Sequence, residues 1–161
     1  NNSLDSLIGI EGLTYIGGKL EITFNTVLTD LTGLYNLTTI GSYIHISYNP
    51  TIATLTGLEN IDAGSISGLY IKMNSSLSTC ETQSVCDYLT IPNGDVDIQN
   101  NATGCNSKEE VAKACGITGV PKLTAGPKVT LHPNPVEDGL TISGLNGSYI
   151  YNINKIGRAH V

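Results

Sequence analysis

Asparagine recurs along this chain at a nearly constant interval: Asn1, Asn25, Asn49, Asn74 and Asn101 are separated by 24, 24, 25 and 27 residues. Each of the last four closes a segment of the form LxIxxN. The segments are Leu20-Glu-Ile-Thr-Phe-Asn25, Ile44-His-Ile-Ser-Tyr-Asn49, Leu69-Tyr-Ile-Lys-Met-Asn74 and Val96-Asp-Ile-Gln-Asn-Asn101. A period in this range restricts a chain to coils that carry one strand each and bury their apolar side only by stacking on neighbours. The period-two placement of the apolar pair predicts a short strand with Leu and Ile inward and the intervening side chains outward. Asparagine then turns the chain. Its amide satisfies backbone groups that a bend inside a stack would leave unpaired, at about 1–3 kcal/mol each. The expected fold is a β-solenoid of parallel strands, one per coil of about 24 residues, with a returning back wall that is irregular or briefly helical.

The whole repeat is legible in two copies. Leu7, Gly9, Ile10, Leu13, Ile16, Leu20, Ile22, Asn25 and Leu28 are answered by Leu31, Gly33, Leu34, Leu37, Ile40, Ile44, Ile46, Asn49 and Ile52. A third copy begins Leu55, Gly57, Leu58 and Ile61, then slips by one residue inside 62–68, where two glycines can absorb the slip as a bulge or turn. These coils occupy 1–79. Asn1 and Leu4 match Asn25 and Leu28 with no strand before them, so the sequence is expected to start within a coil, with upstream residues and an export signal missing.

Residues 80–116 change character. They hold all four cysteines, Cys80, Cys86, Cys105 and Cys115, together with the fourth strand. The spacing lacks CxxC pairs, and His45, His132 and His160 are scattered, so two disulfides in an oxidising compartment are preferred to zinc or free thiols. Stacking favours Cys80 with Cys105 and Cys86 with Cys115, local pairing is nearly as plausible, and three connectivities stay open. Glu81 to Leu89 reads as a short helix ending before Pro92. A second helix is expected from Lys108, with Ser107 as N-cap, Glu110 in the capping-box position and Gly116 as the stop. This stapled helical unit would cap the stack.

Residues 117–128, rich in Gly and Pro without periodicity, form a linker. Short strand candidates and turns over 129–154 suggest a partial β-sandwich. Lys155 to Val161 matches one reading frame of a common sequencing adapter and is set aside as a non-native tail. With a net charge of −6 and a pI of about 4.8, the chain offers no basic surface for nucleic acid. No apolar run approaches the roughly 20 residues that span a bilayer. The chain is expected to be a monomer without cofactor or metal.

The two intact coils, and the end piece Asn101-Ala-Thr-Gly-Cys-Asn-Ser-Lys-Glu-Glu-Val111, resemble leucine-rich-repeat-like, receptor-L-domain-like surface proteins of Gram-negative bacteria over residues 4–116. Val129 to Ile142 is similar to the opening of the type A carboxy-terminal sorting domain of the type IX secretion system. Pro133, Asn134, Pro135, Asp138, Leu140 and Ile142 match its motif, and His132 stands where tyrosine is usual. That resemblance implies export across the outer membrane by the secretion machinery, then release or attachment at the cell surface. The family domain is about twice as long as the stretch present here.

The strands predict an outward strip of Glu21, Thr23 and Phe24, then His45, Ser47 and Tyr48, then Tyr70, Lys72 and Met73, then Asp97 and Gln99. If the residue before each asparagine also faces out, Phe24, Tyr48 and Met73 form an apolar row suited to a protein or glycan partner. The competing explanation is that they cover a rim. His45 has no acid or serine partner evident from sequence and reads as an ordinary strand residue. Glu109 and Glu110 suit a first helical turn, and Asp95 with Asp97 supplies too few oxygens for calcium. The N-x-S/T matches at Asn36, Asn74 and Asn101 read as incidental. The function expected is a non-enzymatic binding or adhesion module. The alternative is a structural spacer of a secreted hydrolase.

Overall fold

A computed structural model describes residues 4–90 and 92–117. The chain divides into two units, Asn1–Lys122 and Leu123–Val161, and the described residues belong to the first. The rung expected at Asn1, the linker beyond Ile117, the sorting motif from Pro133 to Ile142 and the tail lie outside them.

In chain order the elements are β1 (Tyr15–Ile16), β2 (Leu20–Thr23), β3 (Thr39–Ile40), β4 (Ile44–Ser47), β5 (Gly68–Lys72), α1 (Gln83–Thr90), β6 (Asp95–Gln99) and α2 (Lys108–Ala114). Four of the strands make one sheet in the order β2-β4-β5-β6, with every pair parallel. Leu20 lies opposite Ile44, Ile44 opposite Leu69, and Leu69 opposite Val96. Each sequence repeat thus becomes one step across the sheet. The alternation holds as expected, since Leu20, Ile22, Ile44, Ile46, Leu69, Ile71 and Ile98 are buried.

The return segments contain a feature that periodicity did not suggest. β1 pairs with β3 in parallel, Tyr15 opposite Thr39 and Ile16 opposite Ile40, so this side begins as a second small sheet. The pairing stops at the third repeat, where Ala63–Ser65 forms a single 3-10 turn. There the Asp62 carboxylate accepts from Gly64 N–H at 3.0 Å, and Ser65 Oγ donates to the Asp62 carbonyl at 2.7 Å while accepting from Ile40 N–H at 3.2 Å. Backbone bonds remain on either side, Asp62 N–H to the Thr38 carbonyl at 2.8 Å and Ser67 N–H to the Ser42 carbonyl at 3.0 Å, Ser65 Oγ serves Ile40 between them, and the one-residue slip is absorbed as the turn expected over 62–68.

Between the two sides lies one apolar core in which Leu28, Leu31, Leu37, Ile52, Leu55 and Leu58 are fully buried. Successive repeats are close enough that glycine becomes obligatory at some positions. Gly57 sits at φ +112°, and a Cβ there would overlap the Leu31 carbonyl oxygen, so both conformation and space exclude a side chain.

α1 starts two residues later than expected, at Gln83, and buries Val85, Tyr88 and Leu89. α2 is capped by Ser107, whose side chain accepts from Glu110 N–H at 3.2 Å. Glu110 does not return to the Ser107 backbone as a capping box would. Its Oε2 accepts from Gly104 N–H at 2.8 Å and Asn106 N–H at 3.0 Å, holding the preceding turn instead. Cys80 is bonded to Cys105 and Cys86 to Cys115, with Cα separations of 5.6 and 5.4 Å. The second bond ties α1 to the end of α2. Two disulfides are consistent with an oxidising, extracellular setting. Among the described residues no helix is long and apolar enough to cross a membrane.

Candidate binding face

The asparagines connect sequence to surface. Asn25, Asn49 and Asn74 are buried, and each is bonded to the next: the backbone N–H of one donates to Oδ1 of the following one at 3.0 Å, from Asn25 through to Asn101. Their side-chain amides reach back as well. Asn49 Nδ2 donates to the carbonyls of Ile22 (2.9 Å) and Ser47 (3.0 Å), Asn74 Nδ2 to Ile46 (3.0 Å), and Asn101 Nδ2 to Ile71 (2.8 Å) and Cys105 (2.9 Å). The backbone has to invert for these side chains to point inward at the end of a strand. The inversion falls on the residue before each asparagine: Phe24, Tyr48, Met73 and Asn100 have φ of 59°, 58°, 57° and 56°. Period two would have sent residues 24, 48 and 73 inward. The left-handed conformation turns them out, and they are 55%, 45% and 42% exposed. The condition attached to the apolar row is therefore met, and its cause is the ladder.

Phe24 and Tyr48 stack with ring centroids 4.6 Å apart and planes 5° from parallel. Beside this ridge the strand side chains align in rows, Glu21, His45, Tyr70 and Asp97 in one and Thr23, Ser47, Lys72 and Gln99 in the next. Lys72 Nζ meets Asp97 Oδ2 at 2.9 Å, and Gln99 Nε2 donates to Asp97 Oδ1 at 2.6 Å. The hydrogen bond from Lys72 holds the Asp97 carboxyl below its ordinary value, and the same bond raises the lysine. Lys19 pairs with Glu21, which lowers the glutamate and raises the lysine. Tyr70 donates to Asp95 at 3.4 Å. Desolvation first, then the Asp95 charge, pushes its phenol up.

Ten of the eleven residues expected on the outward strip lie on this surface at least partly exposed. Ser47 differs: it is 1% exposed, with its Oγ 3.0 Å from His45 Nε2. His45 thus has a serine partner that sequence did not reveal, because residues two apart on a strand share a face and the imidazole is long enough to lie along it. With its oxygen buried, Ser47 steadies the imidazole, which packs edge-on to Tyr70, and cannot meet a substrate carbonyl. Lys19 and Tyr43 also belong to the face and were missed, and Asp95, weighed from sequence only as a calcium ligand, joins them. The signal that finds them is the same period carried one position before each LxI pair.

A second row of side-chain bonds lies on the opposite side. Asn36 Nδ2 donates to the Glu11 carbonyl at 2.7 Å, Asn60 Nδ2 to Tyr35 at 2.7 Å, and Ser84 Oγ to Leu58 at 2.6 Å. Asn36 is accordingly a structural residue, legible from its 24-residue offset to Asn60. Among the described residues no group of three or more His, Cys, Asp or Glu is placed to hold a metal. Asp95 and Asp97 turn to separate partners. An apolar recess of about 320 Å³ lies among Leu4, Leu7, Ile10, Leu13, Ile16 and Leu34. Comparison of the chain with protein-family models, with curated proteins and with solved structures finds no match in any of the three.

Proposed function

We propose that this chain is a non-enzymatic binding or adhesion module, a leucine-rich-repeat-like solenoid whose outward strand face takes a protein or glycan partner. In this reading the parallel strands are successive coils and the disulfide-bonded helices α1 and α2 cap the stack. The segment from Pro133 to Ile142 is the start of a type IX sorting domain that would address the module to the surface of a Gram-negative cell.

One observation supports this above the others. A bulky side chain in the left-handed region costs about 1–2 kcal/mol relative to the ordinary conformation, and glycine or asparagine would avoid most of that cost. Asn100 shows the inexpensive solution at the fourth rung. At the other three rungs the chain carries Phe24, Tyr48 and Met73, and their exposure means that core burial does not repay the strain. Strain of this kind concentrates where a surface has a task. Large apolar side chains in a row are what partner surfaces use as anchors.

A screen of the intact protein against glycans and surface proteins tests the proposal. The expected result is a ligand whose binding falls when Phe24, Tyr48 and Met73 are replaced by serine; no ligand, with adhesion unchanged in the triple variant, would overturn it. The spacer reading draws on a different observation, the apolar recess beside the half-buried Leu4, Leu7 and Leu13, a surface able to pack against a neighbouring domain.

A further inference from the structure

Resting on the binding-module reading, we infer that the partner is a protein surface presenting large apolar side chains flanked by a basic residue, and not a glycan. The geometry of the aromatic rings and the pairing of the charges beside them argue for the protein. A pyranose binds an aromatic ring by laying its C–H groups on an open ring face. Phe24 and Tyr48 lie face to face, 4.6 Å apart and 5° from parallel. One face of each ring is spent on the other and the remaining two point in opposite directions, so the pair offers no shared flat platform to a sugar.

The other aromatics on this side are engaged as well. Lys19 Nζ lies 5.8 Å over the Tyr43 ring and Lys72 Nζ 6.0 Å over Tyr70. Tyr43 and Tyr70 meet edge to face at 5.6 Å and 87°. Sugar hydroxyls also need carboxylates or amides with open acceptor and donor positions. Asp97 is held by Lys72 and Gln99, and Glu21 by Lys19.

What these contacts leave is an apolar ridge of Phe24, Tyr48 and Met73 beside internally neutralised pairs. At strand spacing the ridge is roughly 10 Å long. Aromatic residues and methionine are enriched at protein interfaces, whereas unpaired charge is depleted from their centres. The charge pattern specifies the rest of the partner. Both lysines on the face are ion-paired, so its excess charge is one carboxylate, that of Asp95 at the far end of β6. A complementary surface carries a lysine or arginine roughly 15 Å from its apolar anchor, the length of such a strand.

The test uses the full chain, immobilised, against a phage-displayed random-peptide library and, in parallel, a glycan array. Expected peptides combine large apolar residues with a lysine or arginine. They bind the Phe24→Asn/Tyr48→Asn/Met73→Asn variant about tenfold or more weakly, as loss of an anchor cluster implies, and binding to Asp95→Asn loses its salt dependence. Asparagine is chosen because Asn100 already holds the same backbone conformation, and Tyr48→Asn alone serves if the triple variant fails to fold. Peptides that bind wild type and variant equally overturn the assignment of the ridge. Glycan ligands that depend on the ridge overturn the protein partner and leave the binding module standing. No ligand from either library overturns both.

Discussion

Asn49 is the residue on which most of the local order converges. Its amide serves carbonyls of its own repeat and of the previous one, and its Oδ1 receives both the backbone N–H and the side chain of Asn25. Asn49→Ala strands several buried groups together and is expected to cost about 3 kcal/mol in urea unfolding. Asn25→Ala, at the edge of the described ladder, should cost less, and equal losses would show that the bonds do not couple the repeats. Tyr88 is the opposite case. Its hydroxyl is buried without a hydrogen-bond partner among the described residues, and burial raises its pKa. Tyr88→Phe should stabilise the fold by about 1 kcal/mol. The Lys72 and Asp97 pair gives a pH signature. Asp97 titrates below the ordinary aspartate value in the folded chain, chiefly through its hydrogen bond from Lys72, so its contribution is present above the unfolded value and lost as pH falls through the folded one. At about one-third exposure of each partner, the effect is about 0.5 kcal/mol. Asp97→Asn should flatten that part of the acid limb of stability, and an unchanged limb would remove the pair from the account.

At the scale of elements, the strands and the capped helix were legible because they rest on local patterns. LxI pairs have period two, and Ser107 precedes a helix-forming run. What sequence could not show was the partner of each side chain one repeat away. β1 with β3 is a pairing of residues 24 apart with no alternation of its own, and the partner of Glu110 depended on how the preceding turn folds. The disulfides belong here too. Cys86 and Cys115 close a separation of 29 residues, for which loop entropy suggests about 3–4 kcal/mol. Replacing both with serine should release α2 first, read as faster amide exchange over Lys108–Ala114 with β4 and β5 still protected. Simultaneous loss of protection in all three would mean that α2 and the sheet unfold as one unit. Mass spectrometry of the non-reduced protein should find no free thiol among Cys80, Cys86, Cys105 and Cys115.

For the first unit as a whole, the two ends differ. Leu4, Leu7, Leu13 and Ile16 are only partly buried, while Leu28, Leu31 and Leu37, one repeat later, are fully buried and Ile40 is 1% exposed. The other end carries α1, α2 and both disulfides. Stability in a repeat array follows neighbour contacts, so amide exchange should be fastest over 4–19 and slowest in Ile44–Ser47 and Gly68–Lys72. Uniform protection would argue for a single cooperative core.

The amino-acid sequence alone determined the period, the parallel strands, the inward leucines and isoleucines and the placing of asparagine at every bend. Those depend on spacing within a few residues and on the hydrogen-bonding capacity of one amide. Only the tertiary structure decided that Phe24, Tyr48 and Met73 face outward, that Ser47 is buried against His45, that Lys72 neutralises Asp97, and which cysteines are joined. Each of these depends on side chains that register between strands brings together, or on a left-handed residue that buried asparagines one repeat apart impose, and no local pattern encodes either.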